Sequence, residues 1–158
     1  PQGWEWVRLE NYVYNFDGKR KPVSVEHRSK QQKIYDYYGA TGVIDKVEDY
    51  IFEGKYILIG EDGGNFFVNR DVAFIVDGKF WANNHVHVLG TFSGLEEYFC
   101  IYLNALNLPA MGLINGIAVP KLNQQNLNSI FIAVPPLEEQ KRIVEKVELL
   151  LSQIEKLL

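Results

Sequence analysis

The chain has 158 residues, of which 47% are hydrophobic, and its formal net charge at pH 7 is −4. This length and apolar content suffice for one domain with a real core, whereas the acidic balance excludes a protein that coats nucleic acid through a globally basic surface. No run approaches the roughly 18 uninterrupted apolar residues of a membrane span, and the first residues lack the pattern of a signal peptide. The single cysteine, Cys100, excludes an intramolecular disulfide. We therefore expect a cytoplasmic protein.

The first two thirds of the chain alternate short β-rich runs with turn signals, which is typical of a mixed, mostly antiparallel sheet. The predicted strands are residues 33–38, 56–60, 72–76, 85–89 and 130–134. The pair Asp77-Gly78 has the composition of a hairpin corner. Ser93 and Glu96 have the spacing of a capping box, and the apolar residues that follow repeat at helical spacing, which predicts a helix of about three turns.

One segment is locally basic although the whole chain is acidic. Residues 17–33 carry six positive and two negative side chains and few large apolar ones, which is typical of a solvated loop. The six cations are Lys19, Arg20, Lys21, Arg28, Lys30 and Lys33. The segment is either an ordinary charged loop or a patch that neutralises the phosphates of a nucleic acid.

The last segment differs in character. Two prolines, at 135 and 136, end the preceding strand and start a helix over residues 137–158, so the chain divides into residues 1–134 and residues 135–158. Apolar residues recur in this helix at the heptad spacing of a coiled coil; they are Ile143, Val147, Leu150, Ile154 and Leu157. The helix either folds back on its own domain or serves as a dimerisation or spacer arm, and the missing stop signal at its end favours the arm.

Motifs for catalysis or cofactor binding are weak. The glycines at 60–64 lack the spacing of a dinucleotide site. Asp45, Glu53 and Lys55 have the residue types of a magnesium-dependent nuclease, but Gly54 between the last two indicates a turn. No serine or cysteine lies in a recognisable nucleophile motif. We predict no catalytic residue.

The two histidines of the predicted strand 85–89 also bear on function. His85 and His87 would share one face of that strand, and such a pair can chelate a metal. The sequence shows no third ligand, so we expect these side chains to pack or to hydrogen-bond and predict no metal site. A module that binds protein and oligomerises through its C-terminal helix remains the main alternative to a DNA-binding role.

Several motifs, spread over nearly the whole chain, together resemble the specificity subunits of type I restriction-modification systems. They are PQGWEWVRL at 1–9, YYGATG at 37–42, ILIGEDG at 57–63, ANNHVHVL at 82–89, IAVPKLN at 117–123 and PPLEEQKRI at 135–143. Each motif alone is weak evidence, but their shared order and spacing make the resemblance specific. The resemblance implies a non-catalytic target-recognition domain of α+β class, a mixed and mostly antiparallel β-rich unit followed by a long coiled-coil-type helix.

The same resemblance implies a set of partners. The chain would read half of a split target on double-stranded DNA, while methyltransferase subunits bind S-adenosylmethionine and the restriction subunit uses ATP and magnesium; this chain would bind none of these cofactors. In that family a full subunit has two recognition domains held apart by helices, whereas this chain shows one domain and one helix. A second recognition domain or a second copy would then pair with the helix.

Candidate DNA contacts fall into two classes. Phosphates are expected to meet the six cations of residues 17–33 together with Lys121. Base edges or grooves are expected to meet polar or aromatic side chains near the matched motifs; the candidates are Tyr35, Tyr37, Thr41, Asn115, Gln124 and Gln125.

Overall fold

The computed structural model describes residues 2–92 and 95–157, and in that part the chain has a mixed α+β fold, as predicted. The strands are β1 (Glu5–Arg8), β2 (Val13–Asn15), β3 (Tyr35–Gly39), β4 (Gly42–Val47), β5 (Phe52–Gly60), β6 (Ala73–Ala82), β7 (Val86–Thr91) and β8 (Phe131–Val134). The helices are α1 (Val25–Ser29), α2 (Glu96–Ala105), α3 (Gln124–Ser129) and α4 (Leu137–Glu155). Short 3-10 turns lie at Leu9–Asn11 and Asp17–Lys19.

The strands form a six-stranded sheet in the order β2-β7-β5-β6-β3-β4 and a separate two-stranded ribbon of β1 and β8. Among the described residues, β3 pairs with β6 in parallel and the other strand pairs are antiparallel. Each strand predicted from the sequence overlaps an observed one, but β5 begins four residues earlier and β6 extends six residues further than predicted. The predicted helix after residue 94 is α2; Ser93 of the proposed capping box lies outside the described residues.

The hairpin corner predicted at Asp77-Gly78 is wrong, because these residues lie inside the ten-residue strand β6. Gly78 is paired with Gly54 of β5, and both have positive φ angles, 112° and 120°. Only glycine adopts such angles readily, so the opposed pair lets both strands bend at one level while their pairing continues. The glycine therefore marks a bend in the sheet instead of a turn.

The bend curls the sheet around an aromatic core. Tyr38 of β3 is paired with Ala82 at the end of β6, yet its ring lies 5.8 Å from the ring of Phe74, near the beginning of β6. A flat strand would separate those positions by about 26 Å at roughly 3.3 Å per residue. Rings from several strands fill the enclosed space, including stacked Phe52 and Phe80 at 5.1 Å. A connection of three residues, 83–85, joins the end of β6 to the start of β7.

A second core lies on the other face of the sheet. Alternation along β5 sends Ile57 and Ile59 to this side and Leu58 to the aromatic side. Phe99 and Leu103 of α2 cover the first two and are fully buried. Burial also raises the pKa of Cys100 to about 12, so its thiol stays protonated at neutral pH.

Helix α4 follows the ribbon directly and is divided into two unlike halves. Gln140 and Val144 of its first half are buried against the domain, whereas Leu150 and Ile154 of its second half are 45% and 52% exposed. The first half thus folds back on the domain, as one of the two alternatives drawn from the sequence describes, whereas the role of the second half as an arm stays a prediction. The helix ends at Glu155, three residues earlier than predicted. Leu157 therefore lies beyond the helix.

The described part of the chain contains no helix whose length and hydropathy would allow it to cross a bilayer.

Candidate nucleic-acid interface

Several separate segments meet at one end of the curled sheet. Glu61 follows β5 directly, and its backbone amide donates to the carbonyl of His85 in the β6–β7 turn at 2.8 Å. The β3–β4 turn is close as well, since a Cβ atom at Gly60 would lie only 2.8 Å from the carbonyl oxygen of Ala40. We call this end of the molecule the Glu61 face; it comprises Asp17–Lys21, Thr41, Glu61–Gly63, Asn84–His85 and Asn115–Lys121.

The carboxylate of Glu61 joins two of these segments. Its Oε2 accepts from the guanidinium of Arg20 at 2.7 Å, and its Oε1 lies 3.2 Å from Nζ of Lys121. Arg20 also donates to the backbone carbonyl of Val86 at 2.9 Å, and its side chain is only 13% exposed. Glu61 therefore fixes the first part of the basic segment against the loop that carries Lys121.

His87 and Asp17 extend this network into the interior. The buried His87 ring faces an oxygen on both sides, with Nδ1 2.6 Å from the Asp17 carboxylate and Nε2 2.7 Å from the carbonyl of Leu122. Burial raises the pKa of Asp17, but the hydrogen bond and charge of His87, aided by Arg20, lower it below its usual value. The first part of the basic segment is thus held to β7.

Lys121 and His85 lie on the solvent side of the same network. Asp62 accepts from Lys121 at 3.1 Å and from His85 at 3.2 Å. These bonds outweigh the effect of partial burial and lower the pKa of Asp62, while the bonds to Asp62 and then Glu61 raise the pKa of Lys121. Both histidines make hydrogen bonds, as the sequence led us to expect.

Asp17, Glu61 and His87 also offer oxygen and nitrogen atoms within 4.8 Å of one another, the arrangement of a metal site. The guanidinium of Arg20 already donates to Glu61 and lies 3.5 Å from Asp17. This positive charge takes the place that a cation would have between the two carboxylates, so the three residues fit a salt-bridge network better than a metal centre.

The two lysines beside Arg20 are exposed. The ammonium group of Lys19 lies over the ring of Phe16 at 5.2 Å. Two hydrogen bonds fix the backbone of Lys21: its amide donates to the carbonyl of Ala82, and the indole of Trp81 donates to its carbonyl. Within residues 2–92 and 95–157, neither ammonium group has a carboxylate partner. Both are available to a phosphate.

The remaining cations of the basic segment pair internally instead. Asp45 of β4 binds Arg28 at 2.8 Å and Lys33 at 2.8 Å, and these two bonds lower the pKa of its carboxyl group. Arg28 is 11% exposed and lies over the ring of Tyr37 at 4.6 Å. Lys30 binds Glu26 one helical turn away.

The three candidates of the β3–β4 hairpin have different surroundings. Tyr37 is 1% exposed, and its hydroxyl accepts from the backbone amide of Val23, so it belongs to the core. Tyr35 packs against Tyr50 at 5.1 Å, at the end of the hairpin away from the turn. Thr41 lies in the turn itself and is exposed on the Glu61 face.

The last candidates lie around Lys121. Asn115 pairs with Lys121 through two backbone hydrogen bonds of 2.7 and 2.8 Å and is exposed on the Glu61 face. Gln124 and Gln125 begin helix α3 and line a shallow cleft with Arg8. Asn115 thus lies beside Lys121 on the Glu61 face, whereas Gln124 and Gln125 lie in a separate cleft with Arg8.

Residues proposed for a nuclease have separate partners in the structure. Asp45 binds Arg28 and Lys33, Lys55 binds Glu97, and Glu53 lies 3.8 Å from Lys79.

The sequence did not single out Glu61 or Asp62 as organising residues. Their position at the end of a buried strand, before a glycine-rich turn, was a usable signal, but the cations that meet them come from distant parts of the chain.

Comparisons with a family model and with known proteins both point to the same protein family. The family model described as "Type I restriction modification DNA specificity domain" matches residues 1–157. A Haemophilus influenzae protein that carries the name of a type I restriction enzyme specificity subunit is 37% identical over 141 residues, which are 89% of this chain and 36% of that protein. This chain therefore spans little more than a third of that relative's length.

Solved structures share the fold at low identity. A chain from a study of assembly and conformational transition in the type I restriction-modification system has a TM-score of 0.75 at 18% identity, covering 99% of this chain and 40% of its own length. The S subunit from M. genitalium has a TM-score of 0.74 at 13% identity, covering 98% and 40% respectively.

Proposed function

The chain belongs to the family of type I restriction-modification DNA specificity domains, and we propose that it binds double-stranded DNA and reads one part of a split target through the Glu61 face. The observation that carries this proposal is the double role of the Glu61 carboxylate, which joins Arg20 of the basic segment to Lys121. Two segments assigned to DNA from the sequence thereby form one surface.

The charge of this surface suits DNA although the chain as a whole is acidic. The Glu61 face carries four cationic side chains, Lys19, Arg20, Lys21 and Lys121, against the three carboxylates of Asp17, Glu61 and Asp62. Lys19 and Lys21 are the groups we assign to phosphates. Arg20 holds the segment in place, since its guanidinium is directed to internal acceptors.

Base reading is assigned to the exposed polar groups beside those lysines. Thr41 and Asn115 can both donate and accept hydrogen bonds, and loops of this kind reach base edges in a groove. Thr41 lies in the tight turn between β3 and β4, and the backbone of Asn115 is fixed by its bridge to Lys121. The cleft of Gln124 and Gln125 is a second, less charged position for such contacts.

In this proposal the chain is a reader and carries out no chemistry. Partner methyltransferase subunits would supply S-adenosylmethionine, and the restriction subunit would supply ATP-dependent cleavage. The exposed second half of α4, with Leu150 and Ile154, would pair with a helix of a second recognition domain or a second copy. An exposed leucine-rich stripe of this kind favours association with another apolar surface.

A selection experiment tests the proposal. The 158-residue chain is incubated with random duplexes, bound DNA is amplified and sequenced over several rounds, and affinity for the enriched site is compared with that for a scrambled duplex. We expect an enriched motif that is bound at least tenfold more tightly than the scrambled duplex. Equal binding of both duplexes would contradict sequence reading, and association through α4 without any DNA binding would favour the protein-interaction module.

A further inference from the structure

The loop that ends at Lys121 is unusually well fixed for an exposed loop. Asn115 and Lys121 close it with two backbone hydrogen bonds, and the amide of Gly63 donates to the carbonyl of Pro120 at 2.8 Å. At its start Gly116 has a φ angle of 85°, and a Cβ atom there would lie 2.2 Å from the carbonyl oxygen of Val119. Glycine is therefore required at this position, and the loop has one defined shape.

This rigid loop presents an apolar tip to solvent. Ile117 is fully exposed, with a relative accessibility of 107%, and Val119 is 55% exposed. The fixed backbone prevents Ile117 from folding onto the protein's own core. An isoleucine held away from its domain in this way is suited to contact a partner.

The neighbours of the tip identify the kind of partner. Lys121 at the base of the loop shares the Glu61 carboxylate with Arg20, so the tip lies on the same face as Lys19 and Lys21. Asn115, directly before the tip, offers hydrogen bonds. An apolar group flanked by cations and an amide matches the major groove, where the C5 methyl of thymine is the apolar feature of the base edges.

We propose that Ile117 is a specificity-determining residue that contacts a thymine methyl group in the major groove. This inference rests on the proposed function, since it assumes that the Glu61 face binds DNA. Lys121 and Asn115 would address hydrogen-bonding atoms or phosphates beside that base, and the rigid loop would fix which base pair meets the isoleucine.

Replacement of thymine by uracil, which removes only the methyl group, tests the contact. In the enriched duplex each thymine is replaced in turn, and affinity is measured for the wild-type chain and for Ile117→Ala. We expect one position where uracil weakens wild-type binding about fourfold, the factor that corresponds to one buried methyl-sized group. Ile117→Ala should bind the thymine duplex more weakly and should no longer distinguish thymine from uracil at that position.

Two further variants complete the experiment. Ile34→Ala is the matched control, because Ile34 is also exposed, at 51%, but lies at the end of the β3–β4 hairpin away from the turn; it should keep the full response to uracil. Ile117→Val retains two methyl groups and should keep most of the response. Because the side chain of Ile117 is fully exposed, Ile117→Ala and Ile117→Val should both unfold at the wild-type temperature.

The outcomes separate this inference from the proposed function. If the wild-type chain prefers its enriched site but no thymine position responds to uracil, or if Ile117→Ala responds as the wild type does, the inference is wrong while DNA reading stands. If Ile117→Ala binds DNA normally but fails to bind a methyltransferase partner, the loop docks protein and the inference is again wrong. If no duplex is preferred by the wild type, the proposed function itself fails.

Discussion

Two parts of the basic segment, each with three cations, differ in how their side chains are paired in the folded chain. In residues 19–21 both lysines remain in solvent, and Arg20 forms part of the Glu61 network. In residues 28–33 Arg28 and Lys33 share Asp45, and Lys30 pairs with Glu26. The comparison shows that the number of charges in a segment does not give the charge available to a ligand, because the fold can bring a carboxylate from another element, such as Asp45 of β4, to its cations.

The largest expected effect comes from breaking the buried arginine of the first part. Arg20→Met removes the partner of Glu61 and Asp17 and leaves two carboxylates with little access to solvent, so the free energy of unfolding should fall by about 3 kcal/mol. Denaturant titration measures this change. Lys21→Met, one residue away and exposed, is the control and should change stability by less than about 0.5 kcal/mol. Equal losses for the two variants would remove the distinction between the arginine and its neighbouring lysine.

Asp17→Asn should have the next largest effect and should depend on pH. The variant loses the charged acceptor of the hydrogen bond with His87 and should be destabilised by about 2 kcal/mol at pH 7. Folding lowers the pKa of Asp17 below 3.8, so its contribution is present above that pH and is lost as the pH falls through the lowered pKa. Stability curves of wild type and variant should therefore converge in acid, and a constant difference down to pH 2 would argue against this origin.

A smaller effect, on binding rather than stability, contrasts the two parts directly. Lys19→Gln with Lys21→Gln should weaken binding to all duplexes about tenfold at low salt and should reduce the slope of log K against log salt by about 2, one phosphate for each lysine. Lys30→Gln with Lys33→Gln removes the same formal charge from cations that already have partners. This second double variant should change the salt slope by less than half as much as the first. Equal changes in slope would contradict the assignment of Lys19 and Lys21 to phosphates.

The smallest effect on the domain is expected from the exposed half of α4. Leu150→Glu with Ile154→Glu alters side chains that are about half exposed, so the unfolding free energy should change by less than about 0.5 kcal/mol. Any association of the chain through this helix should disappear in sedimentation experiments. Both basic parts are untouched, so the salt slope of DNA binding per chain should stay the same, which separates assembly from reading.

Local signals in the sequence predicted much of the fold. The di-proline at 135–136 located the start of α4, because proline ends a strand and suits the first turn of a helix. The heptad pattern predicted an apolar stripe but not that Val144 beside it would pack on the domain. The turn assigned to Gly78 failed because its meaning depends on Gly54, a partner 24 positions earlier that only the sheet register supplies.

The site was less predictable, for the same physical reason. Arg20 and Lys21 are adjacent and similar in sequence, but one is internal and the other exposed, because Glu61 meets only the first. Tyr37 is buried for the same reason: the guanidinium of Arg28 lies over its ring, and its hydroxyl accepts a hydrogen bond from the amide of Val23. Such pairings join residues far apart in the chain, and composition or spacing does not reveal them.

The ribbon of β1 and β8 has a consequence for how the domain connects to other segments. Glu5 is paired with Val134, so the chain enters and leaves the domain at neighbouring positions, about 5 Å apart between Cα atoms. The residues between them are therefore joined to both flanking segments at one place, and the first half of α4 packs back against them there. Domains with such adjacent ends can be exchanged between longer chains without changing the spacing of what surrounds them.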